Sequence, residues 1–528
     1  MRQSGNLPLA NINKIFGADL KMEKKYILGI DLGTGSVKTI LVDSDGNIIG
    51  SASREYPTSY PNPGWVEQDP EDWYYTFKNT FKEMMKEADI DPDKISAIGV
   101  TGQMVGLTCL DRDGAVLRNT ISWNDQRATE QLKWLKENLG RRISQITYLP
   151  INQSFTLPKL LWLRENEPRI WKKLYRFQLP KDYIRFRLTR KWFTDHTDAS
   201  ATMLFDLVNL KWSKEICKMV EFPLDKLPEA VSSSKVVGGL CAEASDELGI
   251  DKGTPVVAGA TDLSSDNLAA GITKPDQWVT RMGTAGSTSL VIDKAVFDEQ
   301  EICFCSAHCI PGKYIAEVGV HSFGQAYRWF KDAFFNEETD MGKKLNKSPY
   351  ELIEQIASKT PVGSDGLIYH PFINGSPYWD PYLKGVFWGI MPNHKKNHFS
   401  RAVLEGTAFC LNDAFDLLKN MVKNNPKEYM LVGGGTKSSL WRQIVCDVLG
   451  TDAFVLENCD ASLGAAMLAG VGSSIFSSFG ETITKFVKPK LKVSYDKGSY
   501  LDYQKIIKRF KEIHAGISNI YRDLEEVY

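Results

Sequence analysis

At 528 residues, with 43% hydrophobic and 24% charged side chains, the chain is too long for a single core and divides by ordinary domain size into roughly two or three units. A formal net charge of -1 argues against a nucleic-acid or membrane-surface partner and leaves a small neutral or anionic ligand as the expected one. No run of about 18 apolar residues is present to span a membrane.

The first 24 residues are interrupted by Asn11, Asn13, Lys14 and Asp19 and lack the apolar core of a signal peptide. They read as an extension, or as residues upstream of a true start at Met22. Tyr26 to Ile30 is then an apolar run that reaches Asp31, a Gly33-Thr34-Gly35-Ser36 turn, and a second run from Val37 to Val42. This is a strand, a tight turn and a strand. Gly33 and Gly35 have no β-carbon, so their backbone N–H groups can approach an anion closely. Thr34 and Ser36 add hydroxyl donors, Lys38 adds positive charge, and Asp31 at the mouth of the turn could hold a divalent cation. An ordinary hairpin with a solvated aspartate is the plain alternative.

Asp45-Gly46 turns the chain into a third antiparallel strand, Asn47 to Glu55. A helix follows from Glu71 to Ala88, with Asp69 as cap and Pro70 in its first turn. Trp65, just before it, is expected to pack its own loop. Ile95 to Thr101 is a short strand ending in Gly102-Gln103-Met104-Val105-Gly106, and α/β folds place ligands at such strand ends. In Ser122-Trp123-Asn124-Asp125-Gln126-Arg127 a tryptophan face can stack on the C–H side of a sugar while Asp125 and Arg127 take hydroxyls. The alternative is a capped helix start with Arg127 facing solvent.

Ala128 to about Lys235 reads as mainly helical, with Lys181 and Asp182 paired at a helix terminus and His196 at the surface. Pro255 to Gly259 is a strand that runs through Ala260-Thr261 to Asp262. Trp278 to Met282 leads into Gly283-Thr284-Ala285-Gly286, a second Gly/Thr turn between strands about 250 residues after the first. The repeat predicts two similar domains that close on a ligand. Cys303, Cys305, His308 and Cys309 read as alternating strand residues rather than a zinc site, and the nine cysteines as reduced, cytoplasmic thiols.

After Pro371 to Ser376 and Gly385 to Ile390, a core helix is expected from about His398 to Met421. The strand Met430 to Val432 runs into Gly433-Gly434-Gly435 and a helix to Leu449, a seat for phosphate or the adenine-ribose edge. Ala461 opens a helix of small residues read as structural, and Tyr500 to Tyr528 is an amphipathic covering helix. Glycine/hydroxyl turns together with two isolated strand-end carboxylates, Asp31 and Asp262, suit phosphoryl transfer from a nucleotide, which needs positioning, charge neutralisation and one base. Neither a Gly-x4-Gly-Lys-Ser/Thr loop nor a protein-kinase motif set is present.

From Tyr26 to Ser474 the chain resembles the FGGY carbohydrate kinases of the actin-like ATPase superfamily, and within them the xylulokinases. The resemblance rests on the Asp31–Ser36 turn, Trp65–Pro70, Gly102-Gln103-Met104, Trp123–Arg127, Leu179–Tyr183, Gly259–Asp262, Gly433–Gly435, and Gly385–Ile390 followed by His398-Phe399 and Ala402–Glu405. It implies an α/β architecture of two ribonuclease-H-like domains with a cleft between them. Their expected bounds are an extension 1–24, a sugar-binding domain 25–271, a nucleotide-binding domain 272–485 and a helical tail 486–528. It also implies ATP and Mg²⁺ as cofactors, a small-molecule sugar as substrate, and a homodimer as an assembly to test. By position, Asp262 matches the catalytic base and Asp31 the acid beside Mg²⁺. Gly33, Thr34, Gly35, Ser36 and Lys38 match the phosphate-side loop. Gly283, Thr284, Gly324, Gly434 and Ser438 fall at the nucleotide, and Gln103, Met104, Trp123, Asp125 and Arg127 near the sugar.

Two positions depart from the xylulokinase pattern. Val105 stands where histidine is usual, and Leu263 where asparagine is usual. Both remove a hydrogen-bonding group where hydroxyls are expected, and such groups discriminate strongly between substrates. A pentulose such as xylulose is the first expectation; another ketose, a polyol or an autoinducer-2-like linear substrate is the alternative. Retention of Asp31 and Asp262 favours an enzyme over a non-catalytic sensor on the same fold.

Overall fold

Tyr26–Leu32 (β1) and Ser36–Asp43 (β2) pair antiparallel with Asp31 opposite Lys38, and Ile48–Glu55 (β3) extends the meander. The computed structural model describes residues 25–373, 375, 383–456 and 458–525, so the extension 1–24 and Ser376 lie outside the described residues. Helix Pro70–Ala88 (α1) begins with the Asp69 side chain accepting from the Glu71 N–H and with Pro70 in its first turn. Its Trp73, Phe77, Phe81 and Met84 pack against Leu28, Ile30 and Leu41 of the sheet. Ile95–Gly102 (β4) runs parallel to β1.

Within residues 128–235 lie the helices Thr156–Asn166 (α2), Pro180–Thr189 (α3) and the single turn His196–Ser200 (α4). The segment is mainly helical as expected, with short strands such as Arg176–Gln178 and Phe193–Asp195 between the helices that the sequence reading did not resolve. Three residues are too few for period-two alternation to stand out. Val236–Gly239 (β5) and Pro255–Val257 (β6) complete a sheet of order β5-β6-β4-β1-β2-β3, and Ala260–Thr261 (β7) pairs with the end of β4.

The helix Asp262–Ala269 (α5) leads to a second sheet that begins with the hairpin Gln277–Met282 (β8) and Gly286–Ile292 (β9). Phe304–Ala307 (β10), Tyr314–Val320 (β11), Gly324–Phe334 (α6), Lys396–Val422 (α7), Glu428–Val432 (β12), Ser439–Leu449 (α8), Ala453–Leu456 (β13), Ala461–Gly472 (α9), Pro489–Val493 (β14) and Lys497–Glu525 (α10) follow. The sheet order is β10-β11-β9-β8-β12-β13-β14. The segment read as a helical tail thus opens with β14, which pairs with β13. Cys303, Cys305 and Cys309 are buried thiols, His308 Nδ1 accepts from the Ile310 N–H at 2.9 Å, and all nine cysteines are free. Among the described residues no helix is long and apolar enough to cross a membrane.

Two helices are exchanged between the halves. Helix α9, from the second half of the chain, lies on the first sheet, where Leu463, Ala466, Met467 and Ala469 cover Ile27, Ile40, Val42 and Ala97. The contact requires glycine: a β-carbon on Gly29 would sit 2.1 Å from the Ser462 carbonyl oxygen, and one on Gly99 2.0 Å from that of Ala465. Helix α5, which ends the first half, reaches the second sheet, where Asn267 Oδ1 accepts from Ser289 Oγ at 3.1 Å. The two helices touch each other, with Gly464 against the backbone of Ser265.

Candidate active site

Both hairpin turns present a Gly-Thr step in which the glycine is half-buried and the threonine exposed: Gly33-Thr34 in the first half and Gly283-Thr284 in the second. Residues predicted to meet a nucleotide gather around the second turn. The Gly324 N–H donates to the Gly283 carbonyl at 3.1 Å, and the Gln325 N–H to that of Thr284 at 2.9 Å. Gly433, in the left-handed region at φ 93°, and Gly435 leave room only for hydrogen beside Met282, and Gly434 between them is open on its Cβ side. Ser438 is the N-cap of α8, its Oγ accepting from the Trp441 N–H at 3.1 Å. The Trp441 ring in turn stacks on Phe323 at 4.4 Å, which fixes α8 against the start of α6. A strand end, two glycine turns and a capped helix N-terminus therefore converge, the arrangement that favours anionic phosphates.

Around the first turn the electrostatics are dominated by carboxylates. Asp31, at the end of β1, is pushed well above the ordinary carboxyl range by burial, then by the negative charges of Asp262, Asp266 and Asp460. Its Oδ1 is buried with no hydrogen-bond partner. Asp262, first residue of α5, is pushed up to about 7 by burial and then by Asp266. Its Oδ1 accepts from the Leu263 N–H at 2.7 Å, leaving Oδ2 for another donor. Asp262 and Asp31 come from opposite ends of the first half, and the structure brings them together.

Four charged residues of this group went unnoticed in the sequence. Asp460 caps α9 and pairs with Lys38 at 2.5 Å, joining β2 of the first half to the second half. Arg281, on β8, donates to Asp266 Oδ2 at 3.0 Å and to the Leu263 carbonyl at 3.2 Å, and lies 3.6 Å from Glu317. Burial raises both Asp266 and Glu317, with Arg281 opposing it. The signal available was weak: Asp266 lies in the middle of α5, Asp460 is a single acid before α9, and Arg281 is a lone charge on β8.

Among the residues expected near a sugar, Trp123 is 36% exposed and its Nε1 donates to Thr34 Oγ1 at 3.1 Å, so the indole borders the Gly33-Thr34 turn. Met104 is half-buried and precedes Val105, which holds φ 57°, a strained value for a β-branched residue. The Val105 carbonyl accepts from Thr156 Oγ1 at 3.2 Å and from the buried Lys159 ammonium at 3.4 Å. Burial lowers the Lys159 pKa to about 7.

Three residues expected near the sugar make contacts within the protein itself. Asp125 is 1% exposed and its carboxylate is consumed by the Val66 N–H at 2.6 Å and by Arg127. Arg127 faces inward, not to solvent, and lies between Trp65 at 3.9 Å and Trp162 at 4.9 Å, beside Glu67 at 2.8 Å. Gln103 donates to Gln68 Oε1 at 2.8 Å and to Tyr56 OH at 3.1 Å. These groups brace the loop behind Trp123, with Arg127 Nη1 the one buried nitrogen of the guanidinium left without a hydrogen-bond partner.

The chain matches the model of the FGGY family of carbohydrate kinases, N-terminal domain, over residues 26–269, and that of the C-terminal domain over residues 281–473. It is 32% identical to a xylulose kinase of Bacillus subtilis over 506 residues, covering 95% of this chain and 98% of the relative. The crystal structures of a gluconate kinase and of a ligand-bound xylulose kinase, both from Lactobacillus acidophilus, superimpose with a TM-score of 0.87 at 27% identity, each covering 95% of this chain and 100% of the other. With the two-sheet fold, the paired Gly-Thr turns and the Asp31–Asp262 group in place, the chain belongs to the FGGY family of carbohydrate kinases.

Proposed function

We propose that this kinase transfers the γ-phosphate of ATP to a hydroxyl of a pentulose such as xylulose. The observation that carries the reading is the adjacency of Trp123 and Thr34, which sets a sugar-stacking face against a phosphate-side turn. Asp262 Oδ2 accepts the proton of the attacking hydroxyl; with its pKa near 7, the carboxylate is ionised enough at neutral pH to do so and basic enough to hold the proton. Thr34, Gly35 and Ser36 donate to phosphate oxygens, and Lys38 leaves Asp460 to neutralise them. The Gly283-Thr284 turn, Gly324, Gly434 and the α8 N-terminus hold the rest of the nucleotide.

The carboxylate surplus at Asp31 fits a hard cation, and the unpartnered Asp31 Oδ1 is an oxygen ligand of the kind Mg²⁺ takes. Mg²⁺ held there supplies charge neutralisation to the phosphate oxygens. Met104 is half-buried and Leu263 buried, and neither side chain carries a strong hydrogen-bonding group. Because Val105 and Leu263 provide no hydroxyl partner, and because the likeness to a gluconate kinase structure equals that to a xylulose kinase, gluconate is the second substrate to assay.

ADP release is to be measured with xylulose, ribulose, gluconate and a set of polyols. Xylulose is expected to give the highest kcat/KM, and a tenfold preference for gluconate would replace the pentulose. Asp262→Asn is expected to lose about 10²- to 10⁴-fold in kcat while still binding ATP. Near-normal turnover by that variant removes the base.

A further inference from the structure

Behind the strand that delivers Asp262 lies a fully buried group of charges that the reaction described above does not use. The Lys181 ammonium is 2.6 Å from Asp182 Oδ1, 2.7 Å from Asp195 Oδ2 and 3.0 Å from Asp198 Oδ2, and all four side chains are sealed from solvent. These three carboxylates are close enough together to hold a metal ion, but the ammonium stands among them. Arg185 adds a second cation, 2.8 Å from Asp182 Oδ1, and its Nη1 also donates to the Ala258 carbonyl at 3.1 Å. No substrate can reach this group. What it can do is hold backbone.

Its link to the active site runs through one hydroxyl. Asp195 Oδ1 accepts from the Thr197 N–H at 2.8 Å and from Thr197 Oγ1 at 2.5 Å, so the hydroxyl proton is committed to the carboxylate. The oxygen of the same hydroxyl accepts from the Thr261 N–H at 2.9 Å. Thr261 immediately precedes Asp262 and caps α5, accepting from the Ser264 N–H at 3.3 Å. Thr101 Oγ1 fixes the residue before it, donating to the Ala260 carbonyl at 2.8 Å. The corner from Ala260 to Asp262 is therefore pinned on both sides, and Thr197 supplies the pin nearest the carboxylate.

We propose that Thr197 is a positioning residue for phosphoryl transfer: anchored by the Lys181–Asp195 pair, its hydroxyl fixes the Thr261 amide and thereby aims Asp262 at the acceptor hydroxyl. The inference rests on the reading of Asp262 as base. A general base must stand about 2.6–3.2 Å from the proton it removes, and a displacement of about 1 Å can cost a hundredfold in rate. Valine at 197 keeps the volume and removes both hydrogen bonds, whereas serine keeps both.

The test uses the full chain with ATP, Mg²⁺ and the best acceptor from the panel above. Thr197→Val is expected to lower kcat about tenfold or more with the KM for ATP within about twofold, and Thr197→Ser to recover kcat to within about threefold of the parent. Amide hydrogen exchange is expected to rise at 260–262 in the valine variant and to return in the serine variant. If the valine variant does not fold, Thr197→Cys, whose thiol is a weak acceptor, takes its place with the same expectation. Full-speed turnover by the valine or cysteine variant, or a loss that serine does not restore, overturns the proposal. When Asp262→Asn is inactive and Thr197→Val runs at full speed, only the clamp fails; an active Asp262→Asn enzyme overturns the base itself.

Discussion

The two hairpins share a backbone and differ in charge. Asp31-Leu32-Gly33-Thr34 in the first corresponds to Arg281-Met282-Gly283-Thr284 in the second, with the same succession of half-buried, buried, half-buried and exposed positions. In one turn the strand ends in an acid whose burial leaves an oxygen unpartnered. In the other it ends in a guanidinium already bonded to Asp266 and the Leu263 carbonyl. The same framework thus leaves a buried carboxylate oxygen unpartnered on one side and ties the halves together on the other. Two positions earlier the contrast is steric: Gly29 lets α9 approach the first sheet, while Val279 fills the corresponding place in the second, packed with Ala270 and Ile272.

Exchanging side chains at these positions tests that division of labour. Asp31→Asn is expected to reduce kcat about 10²-fold or more and to raise the Mg²⁺ concentration needed for half-maximal rate, whereas Arg281→Met, which breaks a tie and not a ligand, is expected to leave the Mg²⁺ dependence unchanged. Equal Mg²⁺ shifts in both variants would erase the distinction.

The pH dependence is the next largest effect. With Asp262 as the proposed base, kcat/KM is expected to fall about tenfold per unit below pH about 7. Stability runs the other way: a carboxyl raised in the folded protein contributes stability that is fully present below about 3.8 and lost as pH rises through about 7. A falling Tm over that window, less steep in Asp262→Asn, checks the sign. Since Arg281 lowers the Asp262 pKa and Asp266 raises it, Arg281→Met should move the acid limb of kcat/KM upward and Asp266→Asn downward, by about one unit or less.

The smallest effects are steric and concern stability. Gly29→Ala drives a methyl group into a backbone carbonyl and is expected to cost about 3 kcal/mol, and Val279→Ala about 2 kcal/mol through a cavity. Denaturant midpoints measure both. A neutral Gly29→Ala would mean that α9 is not seated as described.

Much of the fold was legible because its signals are local. The hairpins, the Asp69-capped helix and the glycine turns each declare themselves within a few residues. Asp31 and Asp262 stood out as acids at strand ends. What escaped depends on distant pairing: Asp460 meets Lys38 across 422 positions, and Asp125 and Arg127 look like exposed polar groups until Trp65, Glu67 and Val66 close over them. Lys181 and Asp182 were paired correctly, but the burial of the pair with Asp195 and Asp198 comes from the tertiary fold.

The seating of α9 has a consequence during synthesis. Ile27, Ile40, Val42 and Ala97 emerge from the ribosome early, while Leu463 and Met467, which cover them, are made more than three hundred and fifty residues later. Until then one face of the first sheet stays wet and adhesive, so a fragment ending near residue 271 should aggregate when made alone and recover when the remainder is supplied in trans.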